Sequence, residues 1–253
     1  MSKTRDKHVL AEKNPIIYIE AKKLTLKKHN QTILDQLDIS IHDQAITVLL
    51  GANGAGKSTL LQALSGVFAP YSGQLSWPKS GKPPESQRIA YVSEPAVFYS
   101  HLTTEEQLLF HAGSHHLLPR NAEQALAQWH LSAVAKKKTG QLSLGYRQRL
   151  ALAQAFMLRP RLLLLDEPMN GMDPDLMSLF KQEVTKIKPH CCVVMASHLL
   201  HLMDDWVDHV VVMAQGKVLS QQHVVKDKSL YQVYQETMAL QHNDVNRQNE
   251  VAS

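Results

Sequence analysis

Two absences limit where this 253-residue chain can work. It has only two cysteines, Cys191 and Cys192, which are adjacent in one apolar run. Neighbouring strand residues point to opposite faces, so a disulfide between them is not expected and a reducing, cytoplasmic setting fits best. No apolar stretch approaches the roughly 18–20 residues that cross a bilayer. The positively charged N-terminus has no apolar segment behind it, which argues against a secretory signal.

The chain also lacks a large net charge. The formal net charge of +4 is far from that of a protein that coats nucleic acid, so no nucleic-acid partner is expected. The basic run Lys136–Lys138 is interpreted as a solvated helix end. The composition is 44% hydrophobic and 20% charged, as in an ordinary globular protein. The length favours one core with an inserted lobe.

The order of strand and helix patterns predicts a mainly parallel sheet covered by helices. One domain is expected at 15–228, with a core at 15–95 and 160–228, a helical lobe at 96–159, and terminal extensions at 1–14 and 229–253. The predicted strands are Ile16–Ile19, Leu37–Ile41, Ile46–Leu50, Gln74–Trp77, Arg88–Val92, Leu162–Leu165, Cys191–Met195 and His209–Met213.

Helices are expected between these strands. One opens at Thr103 with capping-box spacing to Glu106, and another at Asn121 with Gln124. A polar stretch at 27–32 is expected to separate the first two strands, and a loop is expected at Pro78–Ser86. Further helices are predicted at Leu60–Leu64, Ala125–His130, Tyr146–Leu158, Leu176–Ile187, Leu199–Trp206 and Ser229–Leu240, before a loose tail from Gln241.

The segment Gly51–Thr59 has the G-x-x-x-x-G-K-S pattern between an apolar strand and a helix, as a phosphate-binding loop requires. Glycines let the backbone approach an anion, and the following helix start adds its positive dipole end. Lys57 would reach the β- and γ-phosphates of a nucleoside triphosphate, and Ser58 would ligate Mg²⁺. The predicted binding residues are Gly51, Ala52, Asn53, Gly54, Ala55, Gly56, Lys57, Ser58 and Thr59.

A second motif is the apolar strand at Leu162–Leu165, which ends in Asp166 and Glu167. Downstream of a phosphate loop, an acid in this place positions Mg²⁺, and that role is assigned to Asp166. Glu167 is predicted to polarise the attacking water as a general base.

A third motif, Leu142–Arg149, places Ser143, Leu144 and Gly145 just before a helix, which is typical of an anion-binding helix start. One chain then carries two such starts. They serve either two ligands or one nucleotide, which two copies of the chain would close on from opposite sides by meeting head to tail.

Together these motifs resemble the ATP-binding subunit of ABC transporters, over about residues 16–219. Leu142–Arg149 is similar to the ABC signature, with Leu144 where glycine is commonest. The resemblance implies a P-loop ATPase of the ABC type: an α/β fold with a RecA-like, mainly parallel sheet, an antiparallel β subdomain and an inserted helical lobe. ATP and Mg²⁺ are the implied ligands.

The resemblance also implies roles for single residues. Asn170–Pro174 is similar to the loop that contacts the partner subunit, which places Asp173 at the nucleotide. His198 is similar to the switch histidine that senses the γ-phosphate, and it joins Lys57 and Glu167 as a catalytic residue. Glu94 stands where the family normally has a glutamine that helps coordinate Mg²⁺. An acid can still ligate the ion, and such replacements occur in the ABC-2-type exporter branch.

The adenine-stacking aromatic of the family has no counterpart at 27–30. His29 is either a substitute or a solvated loop histidine, so the preference between ATP and GTP stays open.

The resemblance implies an ATPase subunit that powers a transporter, with export favoured over import. It would bind a separate transmembrane permease and a second ATPase subunit, identical or different, at the cytoplasmic face of the inner membrane. Two other classes are weighed: a soluble ABC protein acting on ribosomes or DNA, and a regulatory module that holds ATP without hydrolysing it. The resemblance implies that selectivity lies largely in the membrane subunits, so this sequence does not name the cargo.

Overall fold

The computed structural model describes residues 16–77, 88–225 and 227–251. The predicted leader 1–14 and the predicted loop Pro78–Ser86 lie outside these ranges. The strands are β1 Ile17–Lys28, β2 Gln31–His42, β3 Ile46–Leu50, β4 Ser72–Ser76, β5 Ile89–Val92, β6 Leu162–Asp166, β7 Cys192–Ala196, β8 His209–Ala214 and β9 Lys217–His223. The α-helices are α1 Lys57–Leu64, α2 Thr104–Ser114, α3 Pro119–Gln128, α4 Leu144–Met157, α5 Pro174–Ile187 and α6 Leu230–Val251.

The main sheet has the order β5-β6-β7-β3-β8-β9, in which only the β8–β9 pair is antiparallel. Its central strands are buried on both faces, which explains their unbroken apolar sequences. Cys191 belongs to the core on one side of this sheet and Cys192 to the core on the other. Both are free thiols, as the strand geometry predicted. The mainly parallel α/β fold is therefore confirmed.

A second, antiparallel sheet of order β2-β1-β4 covers one side of the core. The prediction of a polar stretch at 27–32 between the first two strands is wrong, because most of these residues belong to the strands of the hairpin β1–β2. Strand β1 continues through Lys28, β2 begins at Gln31, and only His29 and Asn30 form the turn. Both turn residues have positive φ, 46° and 63°, as a tight two-residue hairpin requires. Polar residues can extend a strand here because one face of an antiparallel sheet tolerates solvent.

Helices α2, α3 and α4 lie between β5 and β6. The capping box of α2 is present: the Thr103 side chain accepts from the Glu106 N–H, and Glu106 accepts from the Thr103 N–H. The predicted start of α3 at Asn121 is wrong. The helix begins at Pro119, and the Asn121 side chain accepts from the Leu118 N–H at 3.1 Å. Proline favours the first helical position because it lacks the N–H that would go unpaired there.

Two further predictions fail near the C-terminus. Residues 199–206 form only a 3₁₀ turn at Leu200–Leu202 rather than a helix. An isolated segment of this length has little helical stability of its own, so the packing around it decides its conformation. The tail expected to be loose from Gln241 continues as helix α6 to Val251. From Leu230 onward α6 contains neither glycine nor proline, so nothing in its sequence breaks the helix.

None of the helices in the described ranges combines the length and the apolar character needed to cross a membrane.

Three histidine rings lie in contact where the two sheets meet. The rings of His42 and His209 are stacked at 4.1 Å between centroids, and His223 lies 4.5 Å from His209. Burial, reinforced by the two neighbouring imidazoles and by Lys188, lowers the pKa of His209 to about 4, although Asp208 acts in the opposite direction. The fold therefore holds His209 as a neutral side chain.

Stability should consequently fall in mild acid. The folded protein disfavours the charged form of His209, so stability is lost as the pH falls from 6.5 towards about 4. Between pH 7 and pH 5 this histidine should cost about 2 kcal/mol of unfolding free energy. Urea unfolding at the two pH values measures the loss, and His209→Phe should reduce it while His101→Phe, at an exposed site, should not. Equal losses in all three proteins would contradict this assignment.

Candidate nucleotide site

The carboxyl ends of the parallel strands gather the predicted catalytic residues. Leu49 of β3 pairs with Ala196 of β7, and Ala196 pairs with Asp166 of β6. The three strands therefore end at one level, and ligands of open α/β sheets bind at this edge. The residues that follow these ends are Gly51–Thr59 after β3, Glu94 after β5, Glu167 after β6 and His198 after β7.

The phosphate loop has the backbone conformation that its glycines allow. Gly56 has φ of 100°, and a Cβ there would lie 2.9 Å from a Leu34 methyl carbon. The Lys57 ammonium donates to the carbonyl of Gly51 at 2.7 Å and to that of Ala52 at 3.3 Å. The lysine therefore spans the concave side of the loop, and helix α1 begins at this point. A phosphate group placed there would meet both the helix start and the ammonium.

The predicted metal ligands Ser58 and Asp166 are in contact. The Ser58 hydroxyl donates to Asp166 Oδ1 at 3.0 Å. Burial raises the pKa of Asp166, and the nearby Glu94 carboxylate raises it further, while Ser58 and Lys57 act in the opposite direction. A buried carboxylate of this kind is stabilised by a cation beside it. The donor set fits Mg²⁺.

The predicted base and the switch histidine also meet. Glu167 Oε2 lies 2.8 Å from Nδ1 of His198 and accepts from the backbone N–H of His198 at 3.2 Å. Glu167 has φ of 45°, a left-handed conformation that few side chains adopt. Strain of this kind clusters at functional sites. Within the described residues, these contacts use Oε2 of Glu167 and Nδ1 of His198 and do not involve Oε1 or Nε2.

Glu94 has a partner that the sequence motifs did not identify. The side-chain amide of Asn170 donates to Glu94 Oε1 at 2.9 Å and to Oε2 at 3.1 Å. Asn170 was assigned only to a partner-facing loop, because nothing in a linear sequence brings together residues 76 positions apart.

Ser143, Gly145 and Asp173 line a cleft of about 560 Å³, and no residue of the phosphate loop is among those that line it. Ser143 is the N-cap of α4, but its side chain makes no capping hydrogen bond. Asp173 caps α5 and also accepts from the Arg149 guanidinium at 3.2 Å. Leu144 is 66% exposed, so this helix start presents an apolar side chain to solvent.

Aromatic rings reach the β1–β2 hairpin from a different segment. The Lys27 ammonium lies 4.0 Å from the centre of the Tyr71 ring, and the Lys28 ammonium lies 4.4 Å from that of Phe68. These rings follow helix α1 in sequence, so the residues at 27–30 give no sign of them.

Comparisons with known proteins agree with this geometry. The ABC transporter family matches residues 34–170. The bacitracin transport ATP-binding protein BcrA of Bacillus licheniformis is 33% identical, over 86% of this chain and 74% of its own length. The putrescine transport ATP-binding protein PotG of Escherichia coli is 33% identical, over 79% of this chain and 55% of its own length.

A solved structure of the ATP-binding subunit of an ABC transporter shares the fold. Its TM-score is 0.78 at 24% identity, and the match covers 87% of this chain and 99% of that one. The family match and the relatives above 30% identity lead to one conclusion. The chain belongs to the ATP-binding proteins of ABC transporters, which are ATPases coupled to transport.

Proposed function

We propose that this protein is the ATP-hydrolysing subunit of a membrane exporter, with ATP held between two ATPase subunits. The observation that carries this proposal is the pairing of Glu167 with His198 beside the Ser58–Asp166 contact. These contacts beside one phosphate loop support the roles of a base, a sensor of the transferred phosphoryl group and a metal-binding pair.

Substrate binding begins at the phosphate loop. Lys57 donates to two loop carbonyls, and phosphate oxygens would replace these weaker acceptors. The backbone N–H groups of the loop and the start of α1 add further donors for the β-phosphate. These groups hold the triphosphate in line for attack and stabilise the charge that spreads over its oxygens.

Hydrolysis is assigned to Glu167. Oε2 is engaged by His198, so Oε1 is the atom left to accept a proton from the attacking water. His198 contacts Glu167 through Nδ1, so Nε2 is the atom that would bind the γ-phosphate. Ser58, Asp166 and Glu94 would hold Mg²⁺, which neutralises charge on the phosphates when it is bound.

Ser143, Leu144, Gly145 and Asp173 complete the site from a second subunit. Their separation from the phosphate loop within one chain supports a head-to-tail pair in which each nucleotide touches both subunits. Loss of the γ-phosphate would remove the link, so hydrolysis would open the pair. A separate permease at the cytoplasmic face of the inner membrane would receive this motion.

Export rather than import is supported by Glu94 and by the sequence that follows Gly145, both of which resemble the ABC-2-type exporter branch. The names of BcrA and PotG refer to different cargoes, so neither cargo is transferred to this chain. A neighbouring gene for a six-helix membrane protein, without a binding-protein gene, would agree with export. A binding-protein gene beside it would favour import.

The proposed activity is tested by phosphate release from Mg²⁺-ATP. The wild-type protein should release phosphate, and Lys57→Ala should lower the rate by about a hundredfold or more, because the loop loses its charge contact with the γ-phosphate. Lys137→Ala removes an exposed lysine outside the site and should leave the rate unchanged. A protein that binds ATP but releases no phosphate would instead be a regulatory module.

A further inference from the structure

The segment after β5, residues 93–99, is held from two directions; it is called the linking loop below. On one side, Asn170 donates to both carboxylate oxygens of Glu94. On the other side, the Arg147 guanidinium of α4 donates to the carbonyl of Ala96 at 2.9 Å. The loop thus connects the segment that follows the catalytic base to the helix that begins at the signature.

Asn170 is also joined to the catalytic base. Its backbone N–H donates to the carbonyl of Glu167 at 3.2 Å. The next residue, Gly171, lies against Leu144, because a Cβ on this glycine would lie 2.8 Å from a Leu144 methyl carbon. A change in the side-chain contacts of Asn170 would therefore act on the segment that follows Glu167 and contacts Leu144.

The Glu94 carboxylate accepts from Asn170 and lies at the same sheet edge as Asp166. Glu94 lies two residues beyond Val92 of β5, and Val92 pairs with Leu165, which precedes Asp166, so the two acids lie at one edge of the sheet. Two neighbouring carboxylates favour a shared cation. In the structure, however, both oxygens of Glu94 accept from the Asn170 amide. A carboxylate that ligates Mg²⁺ must present an oxygen at near-ideal octahedral geometry. Two hydrogen bonds to one amide nitrogen use lone pairs of both oxygens and restrict how the carboxylate can turn towards a cation.

We propose that Asn170 is a positioning residue that competes with the divalent cation for Glu94. Cation binding would exchange the Asn170–Glu94 hydrogen bonds for a carboxylate–cation contact, and the linking loop would be released from Asn170. This inference rests on the proposed function, because the cation arrives with the nucleotide. A neutral glutamine at position 94 would attract the cation less, so the exchange depends on the carboxylate.

A double-mutant cycle on the full chain tests the competition. Mn²⁺ binding is measured by electron paramagnetic resonance with a saturating non-hydrolysable ATP analogue, for the wild type, Asn170→Ala, Glu94→Gln and the double variant. Asn170→Ala should bind Mn²⁺ about three- to tenfold more tightly than the wild type, the equivalent of one to two hydrogen bonds. In the Glu94→Gln background the same substitution should change the affinity less than about twofold.

Three results would overturn the proposal: no change in Asn170→Ala, weaker Mn²⁺ binding, or an equal change in both backgrounds. Asn121→Ala on α3 serves as the matched control and should leave Mn²⁺ affinity unchanged. If the wild type does not bind the analogue at all, the proposed function is contradicted as well. If it binds Mn²⁺ with the analogue but the cycle shows no coupling between positions 170 and 94, only the proposed role of Asn170 is contradicted.

Movement of the linking loop provides a second readout. Val97 is 83% exposed, so Val97→Cys offers a reactive position. Both native cysteines are buried, and burial raises the pKa of Cys191 to about 12, so a thiol-reactive spin label should modify position 97 selectively. Adding Mg²⁺ with the analogue should change the label's mobility, and Glu94→Gln should abolish that change. An equal response with and without Glu94 would contradict the exchange.

Discussion

Replacing Glu167 with glutamine should lower the rate of ATP hydrolysis by about a thousandfold while leaving ATP binding intact. A positioned general base contributes roughly a hundred- to ten-thousandfold to such a step. Glutamine keeps the size of the side chain and can accept from the His198 N–H, but its amide cannot take the proton from water. The site would therefore fill with ATP and stay filled.

Single-turnover phosphate release and binding of a fluorescent ATP analogue measure the two effects separately. Glu123→Gln on helix α3 is the matched control, because it makes the same chemical change at an exposed position away from the sheet edge. Turnover of Glu167→Gln at the wild-type rate would refute the assignment of the base.

Ser143→Arg should leave ATP binding unchanged and still lower steady-state hydrolysis by about a hundredfold. Ser143 lies at the start of α4, exposed, and none of the residues that line its cleft belongs to the phosphate loop. A long, charged side chain there would keep the second subunit from closing on the nucleotide, and lost positioning alone costs about that much.

Ser132→Arg introduces the same side chain at another exposed serine and should be harmless. If Ser143→Arg hydrolyses ATP at the wild-type rate, the signature does not complete the site. If it loses ATP binding, the two predicted phosphate-binding helix starts are not independent within one chain.

The sequence predicts the sheet edge well because its motifs are local. The glycines and Lys57 of the phosphate loop lie within the short segment Gly51–Lys57, and Asp166 and Glu167 stand at the end of a buried strand. Once the strands are parallel, their carboxyl ends lie at one edge of the sheet. His198 reaches Glu167 because β6 and β7 are also neighbours in the sheet. Contacts between residues that are close in sequence, or whose positions follow from strand direction and order, can be predicted from the sequence.

Contacts between distant side chains could not be derived in this way. Asn170 meets Glu94, and Phe68 meets Lys28, because loops of particular lengths turn back on the sheet. The helix predicted at 199–206 fails for a related reason. Its apolar residues satisfy a helical pattern, but the segment is short, and the packing of its neighbours decides its conformation.

The shared nucleotide site is tested most directly by the mass of the protein in solution. Glu167→Gln should sediment as a dimer with Mg²⁺-ATP and as a monomer with Mg²⁺-ADP, because only the triphosphate links the two subunits. Adding Ser143→Arg to Glu167→Gln should leave a monomer that still binds ATP. A dimer that persists in this double variant, or a Glu167→Gln protein that stays monomeric with ATP bound, would contradict a site shared between two copies.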